Sequence, residues 1–411
     1  MPAFTTRRSF RAKQRHAKIV RDPVEHRYRA PIPHSPPCLG CPWIRIAYPE
    51  QLARKREIVR RALAAHPSLD TAEVPPVSAS PHQLGYRARV KLVVRATRGE
   101  IATGLYVPGT HRVIDISSCP VHPRPVNQVT HYLKRKILEL GIVPYDERDD
   151  SGQLRYLDFR YSFARRELSV TLVTRHAELP QATALARSVS RKFSFVSGVI
   201  QNINERRGNV IWGERYRVLA GRDTLLERIG HLTLGFPAGV FSQANPFAAK
   251  KVYDKVAETA ALTGNQTVLD LYCGVGPISL YLAQSARLVC GVDESAPAVD
   301  AAKQNARRNG VGNCRFFAGD VAEQVTAAKR MMERTDLVAL NPPRKGVQPA
   351  AMNALIAVHA PRIIYVSCNP ESLARDLGRL AASGYRVARI QSFDLFPQTD
   401  QVETVALLTK G

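Results

Sequence analysis

The chain has 411 residues, 45% of them hydrophobic, and sets 59 Lys and Arg against 35 Asp and Glu for a formal net charge of +24. That length and apolar content suit two or three folded domains and exclude global disorder. No apolar run reaches the ~18 residues of a membrane span, and the basic N-terminus lacks the apolar core of a secretory leader.

Asp22 and Glu25 argue against a transit peptide in the Arg-rich N-terminus. Residues 1–30 hold 9 basic and 2 acidic residues and are expected to form a basic arm. The first 235 residues carry 40 basic and 20 acidic side chains, the remainder 19 and 15. A positive field segregated in this way suits a polyanion held by the N-terminal half, although an Arg-rich genome would account for part of it. The seven cysteines are irregularly spaced. An odd count without a leader points to a reducing cytoplasm, with thiols serving as ligands or nucleophiles.

A Pro-rich stretch from 31 to 37 leads into Cys38-Leu-Gly-Cys41. Positions 48–66 have helical periodicity with basic residues on one face, and 67–82, with four prolines, reads as a linker. Alternation then sets in at Val90, Leu92, Val94, at Leu157, Phe159, Tyr161 and at Leu168, Val170, Leu172, so 83–235 is expected to be β-rich. From 236 the pattern becomes strand–helix alternation. Strands are predicted at 267–272, 287–292, 314–318, 337–340, 362–367, 387–392 and 403–408, with helices at 277–284 and 297–309. The expected fold class is α/β: a C-terminal doubly wound, Rossmann-like domain (236–411) behind an N-terminal cysteine-containing segment (31–82) and the β-rich domain. Ligands belong at the carboxyl ends of such strands.

The first strand of the C-terminal domain runs into Asp270-Leu-Tyr272-Cys-Gly274-Val-Gly276. Glycines at a strand–helix junction let the backbone approach a ligand. Asp293 ends the second strand, where an acid can bind both ribose hydroxyls, and Asp320 follows the third, within reach of an adenine edge. These acids and glycines indicate an adenosine-containing ligand. Pro277 and Ile278 replace the third glycine of a dinucleotide fingerprint, so that reading is incomplete. Asp270 also has a plainer reading as a structural turn residue.

Strand ends facing the same cleft carry Asn341-Pro-Pro-Arg344, Ser-Cys368-Asn-Pro, and Phe396-Pro-Gln-Thr399 running to Glu403. With Phe241-Ser-Gln243-Ala-Asn245 and the 270–276 turn, these motifs resemble the uracil-5 RNA methyltransferase family. The resemblance extends through Cys38-x-x-Cys41 and Cys119-Pro-Val-His into the N-terminal half. Asn341, Val143-Pro-Tyr145 and Gly152-x-Leu-Arg-Tyr156 resemble the 23S rRNA (RlmC-type) branch.

The resemblance implies S-adenosylmethionine as cofactor, held by Gln243, Asp270, Tyr272, Gly274, Gly276, Asp293, Asp320 and Asn341. It implies Cys368 as a nucleophile adding to carbon 6 of uracil, Glu403 as the base that removes the carbon-5 proton, and Arg344 beside the enolate oxygen or a phosphate. The partner would be RNA, 23S rRNA ahead of tRNA, bound by a monomer in the cytoplasm. Cys38, Cys41 and Cys119 resemble the family's iron–sulfur ligands, but three thiolates leave open a non-cysteine fourth ligand such as His34, a three-iron cluster, zinc or a degenerate site. Gln401 stands where the family has His, which bears on proton relay next to Glu403.

Rival chemistries fit less well. Amine methylation wants an aromatic after Asn-Pro-Pro, where Arg344 stands. RNA cytosine-5 methylation wants a second cysteine near Asn341, and none occurs. A non-catalytic RNA-binding or ribosome-assembly factor would have no use for both Cys368 and Glu403.

Overall fold

The computed structural model describes residues 38–411 apart from 70, 71, 98, 117 and 209. The basic arm and His34 therefore lie outside the described residues.

The chain enters as helix α1 (Tyr48–Ala64). A seven-stranded sheet follows, from β1 (Arg89–Thr97), β2 (Glu100–Tyr106), β3 (Val113–Asp115), β4 (Leu154–Ser162), β5 (Glu167–Thr174), β6 (Val196–Ile203) and β7 (Arg215–Gly221), in the order β3-β2-β1-β4-β5-β6-β7. Helices α2 (Arg124–Glu139) and α3 (Ala182–Lys192), which the strand pattern did not anticipate, cover one face. Val90, Leu92 and Val94 of β1, with Leu157, Phe159, Leu168, Val170 and Leu172, form the core beneath those helices. The period-2 alternation therefore sends every second residue to the opposite face. There Arg89, Lys91 and Arg95 alternate with Val93, near Tyr106, Tyr156 and Trp212.

A short hairpin, β8 (Leu225–Ile229) and β9 (Leu232–Phe236), leads into α4 (Pro246–Ala260). The second sheet alternates with helices: β10 (Thr267–Leu271), α5 (Pro277–Leu282), β11 (Leu288–Asp293), α6 (Ala296–Arg308), β12 (Cys314–Ala318), α7 (Val321–Lys329), β13 (Leu337–Leu340), α8 (Pro349–Ala357), β14 (Arg362–Ser367), α9 (Pro370–Ala382), β15 (Tyr385–Phe393) and β16 (Glu403–Lys410). Its order is β12-β11-β10-β13-β14-β16-β15. Apolar clusters lie on both faces, one against α7, α8 and α9, the other against α4, α5 and α6. The doubly wound α/β expectation holds, and the strand order reverses between β10 and β13, where Rossmann-like sheets bind ligands.

Two features depart from expectation. The sheet is not wholly parallel: β16 runs antiparallel to both β14 and β15. Its connection from β15 carries no crossover helix, and without one a chain returns antiparallel. The segment expected to be a linker also packs down. Leu69 and Val74 join Val59 and Leu63 of α1 in the core of the C-terminal domain, and Ser78 bridges to Phe393 at the sheet edge. Among the described residues no helix is long and apolar enough to cross a membrane.

Candidate active site

Four helices of the C-terminal domain begin on side-chain caps, and two of those caps belong to the motifs. Asn245 accepts from Ala248 N–H at 3.1 Å with Pro246 opening α4. Asn369 accepts from Glu371 and Ser372 N–H at 2.9 and 3.2 Å with Pro370 opening α9. An oxygen-bearing cap followed by proline halts a strand and starts a helix within two residues. Ser-Cys-Asn-Pro thus leaves Cys368 alone in the gap between β14 and α9, half-buried rather than packed into either element.

The antiparallel strand supplies its neighbour. Ser367 pairs with Thr404, so the next positions, Cys368 and Glu403, meet at the mouth of the sheet. Burial pushes the Glu403 carboxyl up to about 8. Burial and the Glu403 charge push the Cys368 thiol up to about 11, with Arg344 working in the opposite direction. The Glu403 charge bears on Cys368, so a thiolate beside an ionised Glu403 is disfavoured. Tyr253 of α4, buried and held above its ordinary range by burial and by Glu403, meets the Gln243 side chain at its hydroxyl. It is a residue that motif reading missed.

At the other end of the same strand edge, the loop after β10 is built for backbone approach. Tyr272, Gly274 and Gly276 all have positive φ, at 60°, 56° and 86°. A Cβ on Gly276 would press on Ala302 and Phe316 at 3.2 and 3.3 Å, whereas one on Gly274 would enter open space. Asp293 accepts from Gly274 N–H at 2.8 Å and from Ser295 N–H at 2.9 Å, leaving a free lone-pair direction on each oxygen. Asp320 caps α7 through Oδ1 alone, with bonds to Ala322 and Glu323 N–H, and is otherwise exposed. Asn341 follows β13 and bonds back to Leu271. Asp270 is fully buried: Ser279 donates to Oδ2, Oδ1 has no partner, and burial pushes the carboxyl up to about 7. It braces the turn from beneath rather than lining its surface. An open glycine cradle and two acids on successive strands fit S-adenosylmethionine.

Two buried networks that sequence reasoning missed hold the reactive loops. Asp376 of α9 is fully buried and accepts from the Tyr365 hydroxyl and from Val347 N–H, both at 2.7 Å. It joins β14, the Pro-Pro-Arg loop and α9. A Cβ on Gly346 would lie 2.4 Å from the Asp376 carboxylate, so the glycine is needed for that approach. The other network pins the loop before Glu403. Lys55 and Asp394 form an ion pair with no exposed side-chain surface. Tyr48 donates to Asp394 at 2.9 Å, Gln51 pairs with Gln398, and Tyr86 donates to Pro397 O at 2.9 Å. Lys55, read as part of a basic helix face, is in fact an internal strut. Replacing Asp394 with Asn would strand its charge. Thermal melts should then show a loss of about 3–5 kcal/mol, whereas joint replacement of Lys55 and Asp394 by Met and Leu should recover most of it.

Cys38, Cys41 and Cys119 share an apolar cluster with Tyr86, Ile114, Ile116 and Val121. Cys41 and His122 lie beside Cys119 and favour its thiolate. Among the described residues no group of three or more His, Cys, Asp or Glu side chains is disposed to hold a metal ion. The iron–sulfur expectation is therefore not supported among the described residues: the other four cysteines lie in the C-terminal domain, so no fourth thiolate exists.

A groove of about 790 Å³ runs from these cysteines past Arg87, Arg89 and Lys91 to Gln401, two residues before Glu403. Gln401 is held by a bond from its N–H to the Thr399 hydroxyl at 3.2 Å. Arg87 lies 5.7 Å from the Phe396 ring and Arg89 5.7 Å from Trp212, a mixture of cations and aromatics suited to nucleic acid.

Comparison with known proteins gives one consistent answer. The family described as tRNA (uracil-5-)-methyltransferase matches residues 47–411. An uncharacterised RNA methyltransferase of Geobacter sulfurreducens is 40% identical over 91% of this chain and 75% of its own. One from Halalkalibacterium halodurans is 36% identical over 95% and 84%. The crystal structure of Pyrococcus abyssi tRNA (uracil-54, C5)-methyltransferase in complex with S-adenosyl-L-homocysteine superposes with a TM-score of 0.74 at 30% identity, over 90% of this chain and 85% of that one.

Proposed function

The chain belongs to the tRNA (uracil-5-)-methyltransferase family, an S-adenosylmethionine-dependent RNA methyltransferase, and we propose that it methylates carbon 5 of a uridine in 23S rRNA through a covalent adduct on Cys368. The observation that carries this reading is the juxtaposition of Cys368 and Glu403 across the β14–β16 pair.

Carbon 5 of uracil is a weak nucleophile. S-adenosylmethionine supplies an electrophilic methyl group, and the rest of the chemistry falls to the chain. The Cys368 thiolate forms a bond to carbon 6, and the ring π electrons move onto the carbon-4 oxygen as an enolate. Arg344, exposed beside Cys368, can face that charge. The enolate electrons return through carbon 5, which takes the methyl. The Glu403 carboxylate then removes the carbon-5 proton, the ring double bond re-forms, and Cys368 leaves as thiolate. Addition moves the thiolate's charge onto the base, which relieves its repulsion with Glu403. The uridine must leave its stack to reach this depth.

Labelled S-adenosylmethionine with unmodified total RNA should yield 5-methyluridine in the 23S fraction. Label in cytosine or adenine products would overturn the roles given to Cys368 and Glu403. A second reading, tRNA as substrate, is favoured by the Pyrococcus abyssi neighbour, and label in the tRNA fraction would select it. Glu403 must be ionised for elimination, so the rate at which product RNA is released from Cys368 should rise with pH and bend near 8.

A further inference from the structure

On the β14 side of Cys368 lies a second, open cleft of about 710 Å³, lined by Arg344, Lys345, Asn369, Glu371, Arg375 and Arg379. Four cations gather there around one carboxylate, in a half of the chain that carries only 19 basic against 15 acidic residues. Arg375 pairs with Asp376, while among the described residues Arg344, Lys345 and Arg379 make no ion pair. Like charges this close repel one another unless an anion joins them.

The Arg375 guanidinium and the backbone that carries Arg344 and Lys345 are also held in place. Arg375 donates to Asp376 at 2.9 Å and to Lys345 O at 2.7 Å. The loop bearing Arg344 and Lys345 is fixed by the Val347–Asp376 bond and the left-handed Gly346. Donors fixed before binding lose little entropy when they engage an anion, and guanidinium groups match phosphate oxygens in a fork. Asn369, which lines this cleft, is the residue after Cys368. Gln401, which lines the groove beside the central sheet, stands two residues before Glu403. The two basic surfaces thus approach the catalytic pair from different strands.

We propose that this cleft binds the phosphodiester backbone of the RNA strand next to the methylated uridine, with Lys345, Arg375 and Arg379 as the contacts. The proposal rests on the RNA reading of the site. It makes α9 part of the RNA grip and assigns the central sheet only half of it.

The test uses the full chain saturated with S-adenosylhomocysteine, unmodified 23S rRNA and tRNA transcripts, and a Lys345→Glu/Arg379→Glu double variant. The variant should bind RNA on the order of 10-fold more weakly, and the slope of log affinity against log salt should fall by roughly one to two. In turnover its KM for RNA should rise with kcat within about twofold. A charge-keeping Lys345→Arg/Arg379→Lys variant should restore the wild-type slope. An unchanged slope and KM would overturn the proposal, as would a fall in kcat alone, or a charge-keeping variant with the slope of the charge-reversed one. Affinity and methylation are read separately. A failed phosphate site would leave 5-methyluridine formation intact, and a failed reaction assignment would leave the salt slope intact.

Discussion

Cys368→Ala is expected to lower methyl transfer to RNA by about 10⁴-fold or more, because no other thiol sits beside Glu403 at the ends of β14 and β16 among the described residues and the uncatalysed ring has no route to an enolate. The remaining six cysteines are all buried. The substitution removes one half-buried sulfur from a gap between β14 and α9, so melting temperature and S-adenosylhomocysteine affinity should stay close to wild type. RNA carrying 5-fluorouridine at the target makes the same point from the substrate side. Fluorine cannot leave as a cation, so the wild-type enzyme should stall as a methylated adduct that survives denaturing electrophoresis and maps to Cys368. Alanine at this position should give no adduct. Turnover of the natural RNA without any adduct on the fluorinated one would sink the covalent scheme.

Glu403→Gln should act later in the same sequence. Thiol addition and methyl transfer do not need the carboxylate, but elimination does. Loss of a positioned base should cost about 10²–10⁴-fold in turnover, and the protein should accumulate a covalent complex with ordinary, unfluorinated RNA. A variant that is slow yet forms no complex would place Glu403 before methyl transfer instead. Stability gives an independent check. Burial raises the folded-state value to about 8 from the ordinary 4.5. Below about 4.5 both folded and unfolded chains hold the proton, so no difference arises. As pH climbs from there to about 8 the unfolded chain ionises more readily and the wild type loses stability, with no further loss above that range. Glutamine removes this penalty. The variant should therefore melt higher than wild type by an amount that grows between pH 5 and 8 and then levels, reaching a few kcal/mol at most.

The basis of both expectations was only partly legible in the chain. Strand–helix alternation after position 236 follows from local periodicity and caps, and the boundaries of β12, β13 and β14 coincide with those read from hydrophobic pattern. The glycine turn after β10, Asp293 and Cys368 were legible as candidates because turns, strand ends and caps leave their mark within a few neighbouring residues. Asp394, Lys55 and Asp376 left no such mark. An acid or lysine in an amphipathic helix or a loop reads as solvent-facing, and only packing of α1, α9 and the loop after β15 against the sheet showed these three to be internal struts. Asp270 was read at the ligand, and its burial, with Ser279 folding back from α5 onto its carboxylate, was not legible in the chain.

The cysteines show the same division. Cys38-x-x-Cys41 is a local spacing and suggested a cluster, yet how many ligands meet depends on distant segments, and here Cys119 alone joins the pair, beside Tyr86 and Ile114. The residue types, the motifs and the α/β alternation belong to the one-dimensional chain, since hydrophobic periodicity and turn chemistry act over a few residues. The meeting of Cys368 with Glu403 does not: it requires β16 to run against β14, a choice made by a helix-free connection and by the core into which both strands pack.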